Sequence, residues 1–71
     1  MIPNTYHKTE TLAEYFKLVH ELLSLGLVQI TSQTHPVNTR GANFIKQDDK
    51  FFSTCSEHEY NKFNDTDDEN N

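Results

Sequence analysis

TLAEYFKLVHELLSLGLVQI, residues 11–30, decides the fold, because an amphipathic helix begins and ends inside it and a strand follows at once. Thr11 and Glu14 have capping-box spacing: the threonine hydroxyl accepts from a free backbone N–H of the first turn while the glutamate reaches back to the cap. Gly26 is the stop signal. Projected at about 100° per residue, Leu12, Tyr15, Phe16, Leu18, Val19, Leu22, Leu23 and Leu25 fill one half of the circumference, and Glu14, Lys17, His20, Glu21 and Ser24 take the other. After Gly26 the period changes to that of a strand, with Leu27, Val28 and Ile30 alternating with Gln29 and Thr31.

On the C-terminal side, residues 32–41 are polar, contain Pro36 and read as a loop. Residues 42–47 and 50–54 flank Asp48-Asp49 at the spacing of a two-residue hairpin turn. A second capping box, Thr54 with Glu57 or Ser56 with Glu59, opens a short helix that turns Cys55, Tyr60 and Phe63 inward. Residues 64–71 offer nothing apolar to offset the entropy of ordering them and are expected to be a disordered acidic tail. On the N-terminal side, residues 1–10 lack periodicity and form an irregular lead-in that lays Ile2 or Tyr6 on the core. The expectation is an α+β domain over residues 11–63 in α-β-β-β-α order, with the long helix across a small antiparallel sheet, since each element's apolar face is the other's available cover. The helix face is wider than such a sheet covers fully: the first reading is that the whole face is ordinary core, and the alternative leaves Tyr15 or Leu18, and Leu25, at its margins for another molecule.

Charge is segregated along the chain. Over residues 1–56 five acids (Glu10, Glu14, Glu21, Asp48, Asp49) balance five bases (Lys8, Lys17, Arg40, Lys46, Lys50), so the net charge of -5 arises in residues 57–71, where Glu57, Glu59, Asp65, Asp67, Asp68 and Glu69 face Lys62. A polyanion repels phosphates and attracts the basic surfaces that hold them, so a protein partner with a basic surface is expected rather than DNA or RNA. With 71 residues there is room for one domain of marginal stability, which a partner would reinforce. The single cysteine, Cys55, forms no internal disulfide, and with no secretory segment after Met1 the expected compartment is reducing and cytoplasmic. The longest apolar stretch, residues 22–28, is interrupted by Ser24 and Gly26 and is far short of the ~20 residues a membrane span needs.

Helix, Leu-Gly-Leu-Val, strand, then Arg40-Gly41-Ala42-Asn43-Phe44-Ile45 resembles the last helix and wing of winged-helix transcription factors, over about half the chain. That resemblance implies a hairpin carrying Arg40-Gly41 before its second strand, and nucleic-acid contact through Arg40, Lys46 and Lys50. The helix surface opposes it, because Glu14, Lys17, His20, Glu21 and Ser24 carry no net positive charge with which to displace counterions from phosphates.

Chemistry has little to build on. Cys55 and His58 have a Cys-x-x-His spacing that His35 or His7 would have to complete, whereas structural zinc sites carry two paired ligand motifs, so no metal or other cofactor is expected. A catalytic cysteine needs a base oriented by a third group inside a pocket, which so small a domain hardly provides. The glycines, Gly26 and Gly41, are accounted for by a helix stop and a loop rather than a phosphate cradle.

The chain therefore reads as a small acidic protein-binding protein, not an enzyme, that inhibits or regulates a nucleic-acid-related enzyme or regulator by occupying its basic surface. By class it resembles virus-encoded inhibitors of host defence or transcription. Glu57, Glu59, Asp65, Asp67, Asp68 and Glu69 would supply the carboxylates, and Tyr60 and Phe63 the anchors. The alternatives are an acidic terminus that only solvates the chain, and an interaction or homodimerisation module acting through the apolar helix, in which Leu18 and Leu25 are the discriminating residues.

Overall fold

The computed structural model describes residues 4–69, with side chains described through Phe63. Six elements follow one another: β1 (Thr5–Thr9), α1 (Leu12–Ser24), β2 (Val28–Gln29), β3 (Asn43–Gln47), β4 (Phe51–Thr54) and α2 (Glu57–Glu69). The strands form one four-stranded sheet in the order β1-β3-β4-β2. β1 pairs antiparallel with β3, and β3 with β4, while β2 joins β4 in parallel. The fold is α+β and its sheet mostly antiparallel. Among the described residues no helix is long and apolar enough to cross a membrane.

α1 is bounded as its sequence dictates. The Thr11 hydroxyl accepts from Glu14 N–H at 3.2 Å, and Glu14 Oε1 accepts from Glu10 N–H at 2.7 Å, one residue earlier than the usual reciprocal bond. At the other end Gly26 takes φ 93°, a conformation that costs a side-chain-bearing residue roughly 1–2 kcal/mol. That turn lets Gly26 N–H reach Leu23 O and Leu27 N–H reach Leu22 O, which satisfies two of the helix's last carbonyls. It also folds Leu27 back against the core.

Strand alternation gives the sheet two different faces. Ile45 and Phe52, 1% and 2% exposed, turn to one face and meet Tyr15, Val19 and Leu22 of α1, with Leu12, Leu18 and Leu27 packed around them. Thr9 and Asn43, opposite each other in the β1–β3 register, are buried on this side as well. Thr9 Oγ1 donates to Asn43 O, and the Asn43 side chain ties down the preceding loop by accepting from Asn38 N–H at 2.7 Å and donating to Asn38 O at 2.9 Å. Tyr6, Phe44 and Lys46 alternate to the opposite face, which α2 covers over β1 and β3.

Several expectations need correction. The lead-in of residues 1–10 contains β1, whose register from Thr5↔Gln47 to Thr9↔Asn43 makes it the partner of the longest central strand. Tyr6 does lie against the fold, and Ile2 falls outside the described residues; of the disordered tail expected over residues 64–71, the backbone continues α2 to Glu69, while the side chains and residues 70–71 fall outside them. The wing implied by the winged-helix resemblance is absent from the described residues: β4 separates β2 from β3, and Arg40-Gly41 precedes β3 in an open loop. The hairpin joins β3 and β4 as expected, but its turn centres on Asp49-Lys50. Asp48 N–H donates to Phe51 O, and the Asp48 carboxylate accepts from the N–H groups of Lys50 and Phe51 at 2.7 and 2.6 Å, so it belongs to the end of the strand. Those two backbone donors hold the Asp48 carboxyl below its ordinary pKa.

Candidate functional site

α2 starts where the second of the two spacings places it. Ser56 Oγ accepts from Glu59 N–H at 3.0 Å, and the Glu59 carboxylate, instead of reaching back to the cap, turns to the sheet. There Tyr6 OH donates to Glu59 Oε2 at 2.7 Å, and Lys46 Nζ stands 3.6 Å from the same oxygen. Beside this cluster the Tyr6 and Phe63 rings lie 4.5 Å apart and those of Phe44 and Tyr60 5.0 Å apart, both tilted. The Tyr6 hydroxyl, assisted by Lys46, holds the Glu59 carboxyl below the usual glutamate range against an opposing effect of burial. Burial, reinforced by the Glu59 carboxylate, pushes Tyr6 up to about 12.

Glu59, Tyr60 and Phe63, three of the residues expected to bind a partner, are thus used to fasten α2 to β1 and β3. Phe63 keeps part of its ring exposed and Glu57 is exposed, whereas the side chains of Asp65, Asp67, Asp68 and Glu69 lie outside the described residues, although their backbone continues α2. Of the three cations of the nucleic-acid alternative, Lys46 and Lys50 both act on the Asp48 carboxylate at the β3–β4 turn. Arg40 precedes β3, Lys50 follows it in the turn, and Lys46 is paired with Glu59 between them. Cys55 is buried and His58 exposed, and among the described residues no group of three His, Cys, Asp or Glu side chains could hold a metal. Burial pushes the Cys55 thiol up to about 11, the opposite of what a nucleophile requires.

On the α1 face the two residues singled out at the helix margin converge on one feature. Leu18 and Leu25, with Leu22 between them, line a broad groove of about 640 Å³ whose opposite wall is His7 of β1 and Gln47 of β3. Tyr15, the other marginal candidate, is core, and its hydroxyl accepts from Gln29 Nε2 at 3.3 Å. Leu18 is half-buried and packs on the core from the groove side, while Leu25 is 73% exposed. His7 Nε2 lies 2.6 Å from Gln47 Oε1, which fixes the rim. His7 entered the sequence reading only as a candidate metal ligand and Gln47 not at all, because their place beside the groove follows from the β1 register, where both take the parity of Ile45. Phe16 and Leu23, one heptad apart, are also exposed, on the helix margin away from the groove. The wide apolar half of α1 is therefore covered along its middle and open along both margins.

No known protein family matches the chain, and neither a curated protein nor a solved structure does.

Proposed function

We propose that the chain is a small protein-binding regulator, acting by occupation of a partner's surface and not by catalysis, and that its docking site is the groove between α1 and the β1–β3 side of the sheet. The observation that carries this reading is Leu25, an apolar side chain left 73% exposed at the mouth of a groove floored by Leu18 and Leu22. An apolar side chain entering there removes both its own surface and that of Leu25 from water, at about 25 cal/mol per Å². The groove's own rim is mixed in charge, with Lys17 beside Glu21. Net selection by charge comes instead from α2, which lies across β1 on the other face of the sheet and continues into the run Asp65, Asp67, Asp68 and Glu69. A partner segment with an apolar anchor and basic flanks satisfies both features. Its charges raise the association rate, and its anchor sets the lifetime of the complex. Such a segment is what a nucleic-acid-related protein exposes, and its occupation would exclude the polyanion it normally holds.

The test is a titration of the isotope-labelled chain with two synthetic peptides of identical apolar sequence, one flanked by lysines and arginines and one by glutamates, followed by amide chemical shifts. The expected result is that the basic peptide perturbs residues around Leu18, Leu25, His7 and Gln47 and the acidic one does so far less. Shifts that avoid the groove, or that are equal for the two peptides, would overturn the proposal.

A further inference from the structure

β2, at the edge of the sheet opposite to β1, is unguarded. Val28 N–H donates to Lys50 O at 2.9 Å and Ile30 N–H to Phe52 O at 2.8 Å, so these two residues face inward to β4. Alternation then turns the N–H and C=O of Gln29, between them, to the outer edge. Natural sheets blunt such edges with charged side chains, prolines or bulges. Leu27, Val28, Gln29, Ile30 and Thr31 include no charge and no proline. At the β1 edge, by contrast, Lys8 pairs with Glu10 at 3.4 Å and α2 packs over the strand.

Apolar side chains flank β2 on both faces, next to Lys46 and Asp48 on one and to Thr31, Ser32 and Thr54 on the other. Val28 pairs with Phe51 in the register, so Val28, Ile30 and Phe51 share the sheet face that carries α2; they lie on its uncovered half and are between 41% and 53% exposed. On the other face the exposed ring of Phe16 meets Tyr15 at 5.5 Å, and Tyr15 in turn holds Gln29. The acidic excess is remote, since α2 lies over β1 and β3 and the body of the chain is formally neutral.

The geometry points to a second copy of this chain as the occupant of the β2 edge. In a two-fold antiparallel pairing, Gln29 exchanges both backbone hydrogen bonds with its counterpart, and two four-stranded sheets become one of eight strands. Val28, Ile30 and Phe51 close on the same strip of the other copy. The two α2 helices end up at the outer ends, where their like charges repel least, which is why a self-complementary neutral edge suits a second copy better than a charged partner. The two Leu18–Leu25 grooves stay open, so the pairing does not depend on whether the groove binds a basic segment, and where it does the dimer is bivalent.

Sedimentation equilibrium of the full chain tests this. The expected result is a concentration-dependent mass rising toward twice the 8.3 kDa of the chain and unchanged between low and high salt. Gln29→Pro removes the outward N–H while sparing both backbone bonds to β4, at the cost of the side-chain bond to Tyr15, and Ile30→Lys places a charge at an exposed position; each is expected to give a folded monomer whose amide shifts change only around β2 and Tyr15. A wild-type chain that stays monomeric to millimolar concentration, or a dimer that survives both variants in folded form, would overturn the assignment. So would a dimer abolished by Leu25→Glu and untouched by Ile30→Lys, or a basic peptide shifting the amides of Val28 and Ile30 in a monomeric chain.

Discussion

Replacing Tyr6 by Phe removes one hydroxyl and leaves the ring where it packs on Phe63, 4.5 Å away, so the change isolates a single bond to Glu59 Oε2 at 2.7 Å. A hydrogen bond to a charged group contributes about 1.5–3 kcal/mol when shielded from solvent. Here the Glu59 side chain is 38% exposed and still has Lys46, so water and the lysine partly replace the lost donor, and about 1 kcal/mol is expected. On a domain this size that lowers the melting temperature by roughly 4–8 °C. The pH dependence follows from the directions of the two shifts. Glu59 is held below its ordinary range, so its contribution is present above the unfolded value near ~4.3 and is lost as pH falls through the lower folded value. Tyr6 is raised to about 12, so its contribution is present below the ordinary ~10 and is lost as pH rises through the folded value. Wild type and Tyr6→Phe should therefore differ most between pH 5 and 9, as read by urea unfolding, and converge toward pH 2. Cys55, raised to about 11, acts on Tyr6 in the alkaline range, so the comparison is made at pH 9 and below. Equal stabilities at pH 7, or a difference undiminished at pH 2, would refute the assignment of this bond as the clasp of α2.

Two further substitutions probe the frame that positions the groove. Gly26→Ala meets nothing within 4 Å of the added methyl but must hold φ 93°, so a loss of about 1–2 kcal/mol is expected from backbone strain alone in thermal unfolding, with the Leu18–Leu25 groove intact. Leu22→Ala empties a site 3% exposed between Ile45 and Phe52 and should cost about 2–5 kcal/mol, a large share of the roughly 4–10 kcal/mol that a domain of this length possesses, so circular dichroism at 37 °C should show substantial unfolding.

What was legible in the sequence was local. α1 could be delimited from Thr11 to Gly26 because the hydroxyl cap, the apolar period and the left-handed stop all act within a few residues. The same holds for the hairpin around Asp48 and for the start of α2 at Ser56. β1 was missed because Thr5–Thr9 carries one large apolar side chain, Tyr6, and its pairing with β3 is set by the distant pair Thr9 and Asn43. The parallel placement of β2 was equally hidden, since Val28 and Ile30 alternate in the same way whichever neighbour they join. The width of the α1 face left open whether all of it is core or part of it stays uncovered, and the 73% exposure of Leu25 decides for an open margin. Phe16 and Leu23 were not placed at a margin, because the helix wheel alone does not tell where along that half circle the sheet stops. Glu59, Tyr60 and Phe63 show the converse difficulty: the sequence offered the two aromatics both as inward-facing residues and as anchors for a partner, and only β1 beneath them decides for the first.

The central claim is that the exposed end of α1 takes an apolar anchor with basic flanks. It is tested most directly by the affinity of the fluorescently labelled basic peptide for the wild-type chain and for Leu25→Glu, each at low and high salt. The account expects saturable binding that weakens as salt rises and falls at least tenfold in Leu25→Glu while the amide spectrum stays folded. Binding indifferent to the Leu25 substitution, or equal affinity for the glutamate-flanked peptide, would contradict it.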